Sequence, residues 1–140
     1  MTAARPRIRH GIDLVHVPRF AESLRAHAAF EARVFTEDER AYCNRFPDPA
    51  PHLAARFAAK EATLKALGMG IIATGIDRKL KEVEVRRVGT APTLALHGKP
   101  AAAAARLGVT DSSVSLTHDG DHALASVVMI ATADPEGQAS

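Results

Sequence analysis

Apolar and polar positions alternate with different periods along this chain, and each change of period marks an element. Met1 to Arg7 reads as a flexible start, and Ile8 to Val17 (IRHGIDLVHV) is apolar and β-branched, a strand composition. Pro18 closes it and suits the first turn of a helix, where its missing N–H is not needed. Phe20, Leu24 and Ala28 then recur at helical spacing and carry one helix through Phe30, with Arg19, Glu22 and Arg25 toward solvent. Thr36-Glu37-Asp38-Glu39 is a capping-box pattern opening a short helix to about Arg45. A proline-rich connector, Phe46 to Pro51, leads into the longest helix, Leu53 to Gly70 (LAARFAAKEATLKALGMG), in which nine residues are Ala or Leu and none is Pro. Leu53, Phe57, Leu64 and Leu67 fall on one stripe of it, with Lys60 and Glu61 inside or beside that stripe.

Gly68-Met69-Gly70 ends the helix in the manner of a glycine C-cap. Ile71 to Lys81 is a basic loop with room for a helical turn. Glu82 to Val88 and Thr93 to His97 alternate with period two around a Gly89-to-Pro92 turn, as half-buried strands do. Pro100 to Leu107 is an Ala-rich helix closed by Gly108, and strands at Ser113 to Thr117 and His122 to Thr132 form a last hairpin. Asp134 to Ser140 lacks a hydrophobic anchor and reads as a disordered tail. The pattern is α+β: residues 1–133 as one domain of antiparallel strands with one long central helix.

Composition narrows the class. The 140 residues are 46% hydrophobic, but much of that is Ala, with no Trp and one Tyr. Such content supplies little bulk, so a subunit interface is expected to help complete the core. The net charge of +2 is spread without the dense Lys/Arg stripe and interleaved aromatics of a nucleic-acid module. A single cysteine, Cys43, rules out an internal disulfide and suits the cytosol, where it packs on a helix. The basic start has no apolar signal-peptide core, and the run from Ala123 to Ala133 is too short to cross a bilayer as a helix. A cytoplasmic protein with neither a membrane nor a nucleic-acid partner is expected.

Two acids stand in unusual places. Asp13 interrupts a strand, and Asp is depleted in strands. Glu61 lies on an inward helix face, where a lone carboxylate costs several kcal/mol unless compensated. A divalent metal is one partner for it; an i,i+4 ion pair with Lys65 at the water line is the other, and the helix taken alone favours the pair. Near the end, His118-Asp119-Gly120-Asp121-His122 joins two strand-like runs.

Taken in order, Gly11-Ile12-Asp13-Leu14-Val15, then Arg56-Phe57-Ala58-Ala59-Lys60-Glu61-Ala62 with Lys65-Ala66-Leu67-Gly68, and finally Ser115-Leu116-Thr117-His118 give the chain a family character. It resembles the holo-acyl-carrier-protein synthases, the small trimeric class of 4′-phosphopantetheinyl transferases, over nearly all its length except the two tails. The resemblance implies three subunits around a threefold axis with active sites in the clefts between neighbours. It also implies transfer of the phosphopantetheine arm of coenzyme A to a serine of an acyl carrier protein, releasing adenosine 3′,5′-bisphosphate. Asp13 and Glu61 match the family's magnesium ligands. Phosphoryl transfer is catalysed mainly by positioning and charge neutralisation, and magnesium needs only one or two carboxylates beside its waters.

The remaining candidates carry two readings each. Lys65 reaches phosphate oxygens or pairs with Glu61. Lys60 is a coenzyme A contact or snorkels over the stripe to a neighbour. Gly68 and Gly70 let backbone approach a phosphate or simply cap the helix. His118 is a phosphate ligand or the general base; Asp119 is a base, a water-mediated metal contact or a turn former. His122 reads as structural, and His16, His27, His52, His97 and Ser112-Ser113 as surface residues. The resemblance places carrier docking on the helix after the first strand, at Arg19 and Arg25, with Arg33, Arg45 and Arg56 as extensions. His10, His16 and Pro18 depart from the usual family pattern, the last two where they bear on docking. A non-catalytic coenzyme A or nucleotide-binding module is the alternative of another class.

Overall fold

The computed structural model describes residues 5–69 and 76–133, with residues 76–78 described by backbone alone. Among the described residues eleven elements follow one another: β1 (Arg7–His16), α1 (Val17–Ala26), α2 (Phe30–Val34), α3 (Glu37–Cys43), α4 (Ala50–Ala66), α5 (Ile76–Lys81), β2 (Val83–Val88), β3 (Ala91–Leu96), α6 (Gly98–Leu107), β4 (Val109–Asp119) and β5 (His122–Ala131). The fold is α+β. One antiparallel sheet has the order β1-β5-β4, so the first strand closes against the last; β2 and β3 form a separate hairpin. Asp13 stands opposite Ala125, and Leu116 stands opposite the same residue from β4.

Strand periodicity gives the three-stranded sheet two faces. Gly11 and Val15 of β1 and Ala123, Ala125, Val127 and Met129 of β5 are buried. Helix α4 packs on that face, and its small residues Ala58, Ala59 and Ala62 let it lie close. The approach is closest at Gly11, where a Cβ would overlap the main-chain carbonyl of Ala62. The opposite face presents Ile8, Ile12 and Leu14 from β1 and Val128 and Ile130 from β5 to solvent, with Ile8 77% and Leu14 62% exposed.

Several boundaries depart from the sequence expectation for identifiable reasons. Val17 belongs to α1, not to the strand, because the His16 side chain caps the helix by accepting the Arg19 N–H at 3.3 Å. The single helix expected through Phe30 is two: His27 turns extended, and the chain re-enters as α2 so that Phe20, Phe30, Phe35 and Phe57 meet in one aromatic cluster. Helix α4 begins at Ala50, inside the proline-rich connector, since Pro51 is tolerated in a first turn. It ends at Ala66, with Gly68 at φ +72° just beyond it. The single apolar stripe is also an understatement. Twelve of the seventeen α4 residues are buried, because sheet, hairpin and α1–α3 surround a helix thin enough to be enclosed.

The capping box is present as expected: Glu39 N–H donates to Thr36 Oγ1 at 3.2 Å, and Thr36 N–H donates to Glu39 Oε1 at 2.9 Å. Gly108 closes α6 at φ +67°. Strand β4 starts four residues before the expected Ser113, through a polar stretch at a sheet edge where the alternation is weak. Helix α5 occupies part of the expected loop. The expected tail, 134–140, lies outside the described residues.

Candidate active site

The β1–α4 seam brings Asp13, Glu61 and Lys65 together. Lys65 Nζ donates to Asp13 Oδ1 at 3.0 Å and to the Ile12 carbonyl at 2.9 Å. The lysine therefore turns across to the strand rather than back to Glu61. Glu61 is 6% exposed, and its Oε2 is buried with no donor. Burial pushes its carboxyl above the usual carboxylate range; Asp13 pushes the same way, and Lys65 opposes both. Two neighbouring carboxylates, one with an orphaned buried oxygen, suit a hard divalent cation that keeps most of its waters. Among the described residues no third His, Cys, Asp or Glu joins them.

Lys60 corrects one expectation. Its side chain is fully enclosed and donates to Glu39 Oε1 at 2.8 Å, the Val83 carbonyl at 2.6 Å and the Leu80 carbonyl at 3.0 Å. All three ammonium protons are engaged, so it offers nothing to coenzyme A and does not snorkel. Glu39 completes the lock by accepting from Val85 N–H at 2.9 Å. Burial lowers the Lys60 pKa and Glu39 counters that effect.

His118 lies elsewhere. It lines a pocket of about 380 Å³ with Tyr42, His52, Arg56, Arg87 and Thr117. The His52 ring stacks on Phe46 (centroids 3.6 Å apart, planes at 13°) and meets His118 edge-on at 5.2 Å. Arg56 is not part of a surface patch: it is 5% exposed, lies 4.2 Å from the Tyr42 ring centre, and its Nε has no acceptor. Arg45 and Arg87 also face that ring, at 5.7 and 5.6 Å. Burial, then His118 and Arg56, hold the His52 imidazole below its ordinary pKa, while Asp48 pulls the other way.

The nine residue steps from His52 to Glu61 span roughly 14 Å of helix. A single chain thus holds Asp13, Glu61 and Lys65 in one place and His118 in another. Asp119 is exposed at the end of β4, opposite His122. His122 in turn packs edge-on against His16 at 5.6 Å. Gly68 adjoins the Arg9 guanidinium, and Gly70 lies outside the described residues. Arg19 and Arg25 are solvent-facing on α1 and flank a shallow groove with Glu22, Ser23 and His27.

His52, Tyr42 and Arg87 escaped the sequence reading. The sequence reading sets His52 among surface residues, whereas it is half-buried in this pocket; its signal is the i,i+4 spacing to Arg56, which puts both on one helix face.

A family model described as the 4′-phosphopantetheinyl transferase superfamily matches residues 9–127. The chain is 45% identical over 126 residues to a holo-[acyl-carrier-protein] synthase of Anaeromyxobacter dehalogenans, covering 87% of this chain and 94% of that one. It is 46% identical over 119 residues to the synthase of Syntrophotalea carbinolica, covering 84% and 91%. A solved structure, the ACPS–CoA complex from Chronobacterium ammoniagenes, aligns with TM-score 0.78 at 31% identity over 89% of this chain and 98% of that one. The chain belongs to the 4′-phosphopantetheinyl transferase superfamily, among the holo-[acyl-carrier-protein] synthases.

Proposed function

We propose that this protein transfers the 4′-phosphopantetheine arm of coenzyme A to a serine of an apo-acyl carrier protein, as a cytoplasmic homotrimer using magnesium. The observation that carries the reading is the pairing of half-buried Asp13 with buried Glu61, whose Oε2 has no donor, beside Lys65. Asp13 and Glu61 would hold the magnesium ion, which when bound neutralises charge on the diphosphate. Lys65, a point charge already at the pair, contacts the phosphate oxygens. The serine oxygen attacks the phosphorus bearing pantetheine, the bond from that phosphorus to the bridging oxygen breaks, and the nucleotide leaves as adenosine 3′,5′-bisphosphate. The serine proton passes to a base, with His118 or Asp119 as the candidates.

The separation of His118 from the acid pair supports a site shared between subunits. The outer face of β1 and β5, which exposes Ile8, Ile12, Leu14, Val128 and Ile130, is the surface proposed to meet its copies, since exposed apolar surface of this kind marks an interface. Arg19 and Arg25 form the docking charge for an acidic carrier. Intact-mass analysis of an apo carrier incubated with the protein, coenzyme A and magnesium tests the reading. A mass gain of one phosphopantetheine arm is expected, together with a trimer by light scattering. Coenzyme A binding without any carrier modification would favour the non-catalytic alternative.

A further inference from the structure

The outer face of the three-stranded sheet carries one titratable side chain among its aliphatic ones. His10 is exposed there, between Ile8 and Ile12 on β1 and opposite Val128 on β5. Its Nε2 pairs with Ser126 Oγ at 3.0 Å, which holds the ring on this face. Strand alternation puts Arg7 and Arg9 on the other face, where Arg9 donates to the Ala66 carbonyl. The titratable groups that share the face with His10 lie at its margins. On β1 and β5 they are His16 and His122, packed edge-on at the strand ends. On β4 they are Asp111, opposite Ile130, and Asp119, opposite His122, with the uncharged Ser113 and Ser115 between them. Two strand spacings and two residue steps separate Asp111 from His10, roughly 12 Å. Among the described residues of this face, no carboxylate is within pairing distance of the imidazole.

We infer that His10 makes assembly of the trimer pH-dependent: the neutral imidazole fits the closed interface, and protonation drives the subunits apart. The inference rests on the reading that this face meets copies of the same chain. A neutral ring closed in among Ile and Val side chains keeps its bond to Ser126 and loses little. An imidazolium in the same place gives up its hydration, has a second N–H to satisfy and meets no carboxylate. Symmetry multiplies that cost, because each of three copies brings its own His10 to the assembly. The sign follows by linkage. Closure favours the uncharged ring, so separated subunits bind protons that the trimer does not. Association is therefore strongest above the range in which imidazoles titrate and weakens as pH falls through it. With three protons taken up per trimer, the dissociation constant rises by up to about a thousandfold per pH unit within that range. The proposed active site is shared between subunits, so the same protonation dismantles it.

The test is the trimer dissociation constant from sedimentation equilibrium at pH 7.5, 6.5 and 5.5 and constant ionic strength, with circular dichroism following the fold. For the unmodified protein the constant should rise about a hundredfold or more over that range, the released subunits staying folded. His10→Gln is uncharged at every pH and can keep a bond to Ser126; His10→Leu continues the aliphatic row. Both should hold the constant within about threefold over the same range, since any titration of His16, His122, Asp111 or Asp119 is common to all three proteins. His10→Lys, charged throughout, should be a folded monomer already at pH 7.5. Equal pH dependence in the unmodified protein and both variants overturns the inference and leaves the trimer reading standing. So does a His10→Lys protein that is a trimer at pH 7.5. An unmodified protein that is monomeric at pH 7.5 overturns the trimer reading and the inference with it.

Discussion

Lys60 and Glu61 are neighbours in sequence on one buried helix, yet their surroundings are opposite. Lys60 sits in a finished environment, with a carboxylate and two carbonyls taking its three protons and Glu39 tied in turn to β2. Glu61 sits in an unfinished one, with an orphaned oxygen, a second acid beside it and a lysine committed to that acid. Arg56, one turn back, shows the same incompleteness with the charge reversed. A satisfied buried charge ties elements together, whereas an unsatisfied one is free to bind a group of the opposite sign. On α4 the first kind holds the scaffold, and the second kind marks where a cation and an anion are expected.

The comparison breaks most visibly at Glu61. Glu61→Gln should lower transfer about a thousandfold or more, since on the proposed reading the change removes the charge of a magnesium-holding carboxylate. The folded, metal-free protein should lose no stability by this change. The raised Glu61 pKa means the folded state holds that proton more tightly than the unfolded chain, so stability declines as pH rises from the ordinary carboxylate range through the raised value. Thermal melts should show that decline in the parent protein and a flatter profile in Glu61→Gln, with magnesium raising the melting temperature of the parent alone.

Lys60→Met should do the reverse. It strands Glu39 in the interior and should cost about 3–5 kcal/mol, read as a lower denaturant midpoint. Adding Glu39→Gln to it should recover part of the loss, since the uncompensated charge is then gone. A Lys60→Met protein as stable as the parent would remove the distinction between the two neighbours.

The smallest effect belongs to an exposed cation. Arg19→Glu should raise the carrier KM about tenfold at low salt and leave coenzyme A binding unchanged, with the contrast shrinking as salt screens it. An unchanged carrier KM at low salt would place docking elsewhere.

Much of this was legible from residues alone. Asp13 in a strand and Glu61 on an inward face each break a local rule, and the structure brings the two acids together at the β1–α4 seam. The Thr36–Glu39 box was readable because a cap depends on four consecutive residues. Lys60 was misread because periodicity assigns a side chain to a face but not what closes over that face; Glu39 and the Leu80 and Val83 carbonyls arrive from other elements. His52 was passed over for a similar reason, since its partner His118 is remote in sequence. The α1–α2 break at His27 follows from the aromatic cluster and not from local propensity, which allowed one continuous helix.

The contact of Gly11 with the Ala62 carbonyl has a genetic consequence. The atom that a Cβ at position 11 would strike belongs to the main chain, which residue 62 carries whatever its side chain. Intolerance at position 11 therefore has no suppressor at position 62: no library of substitutions at 62 should yield a partner that restores the folding of Gly11→Ala, whereas return of glycine at 11 should.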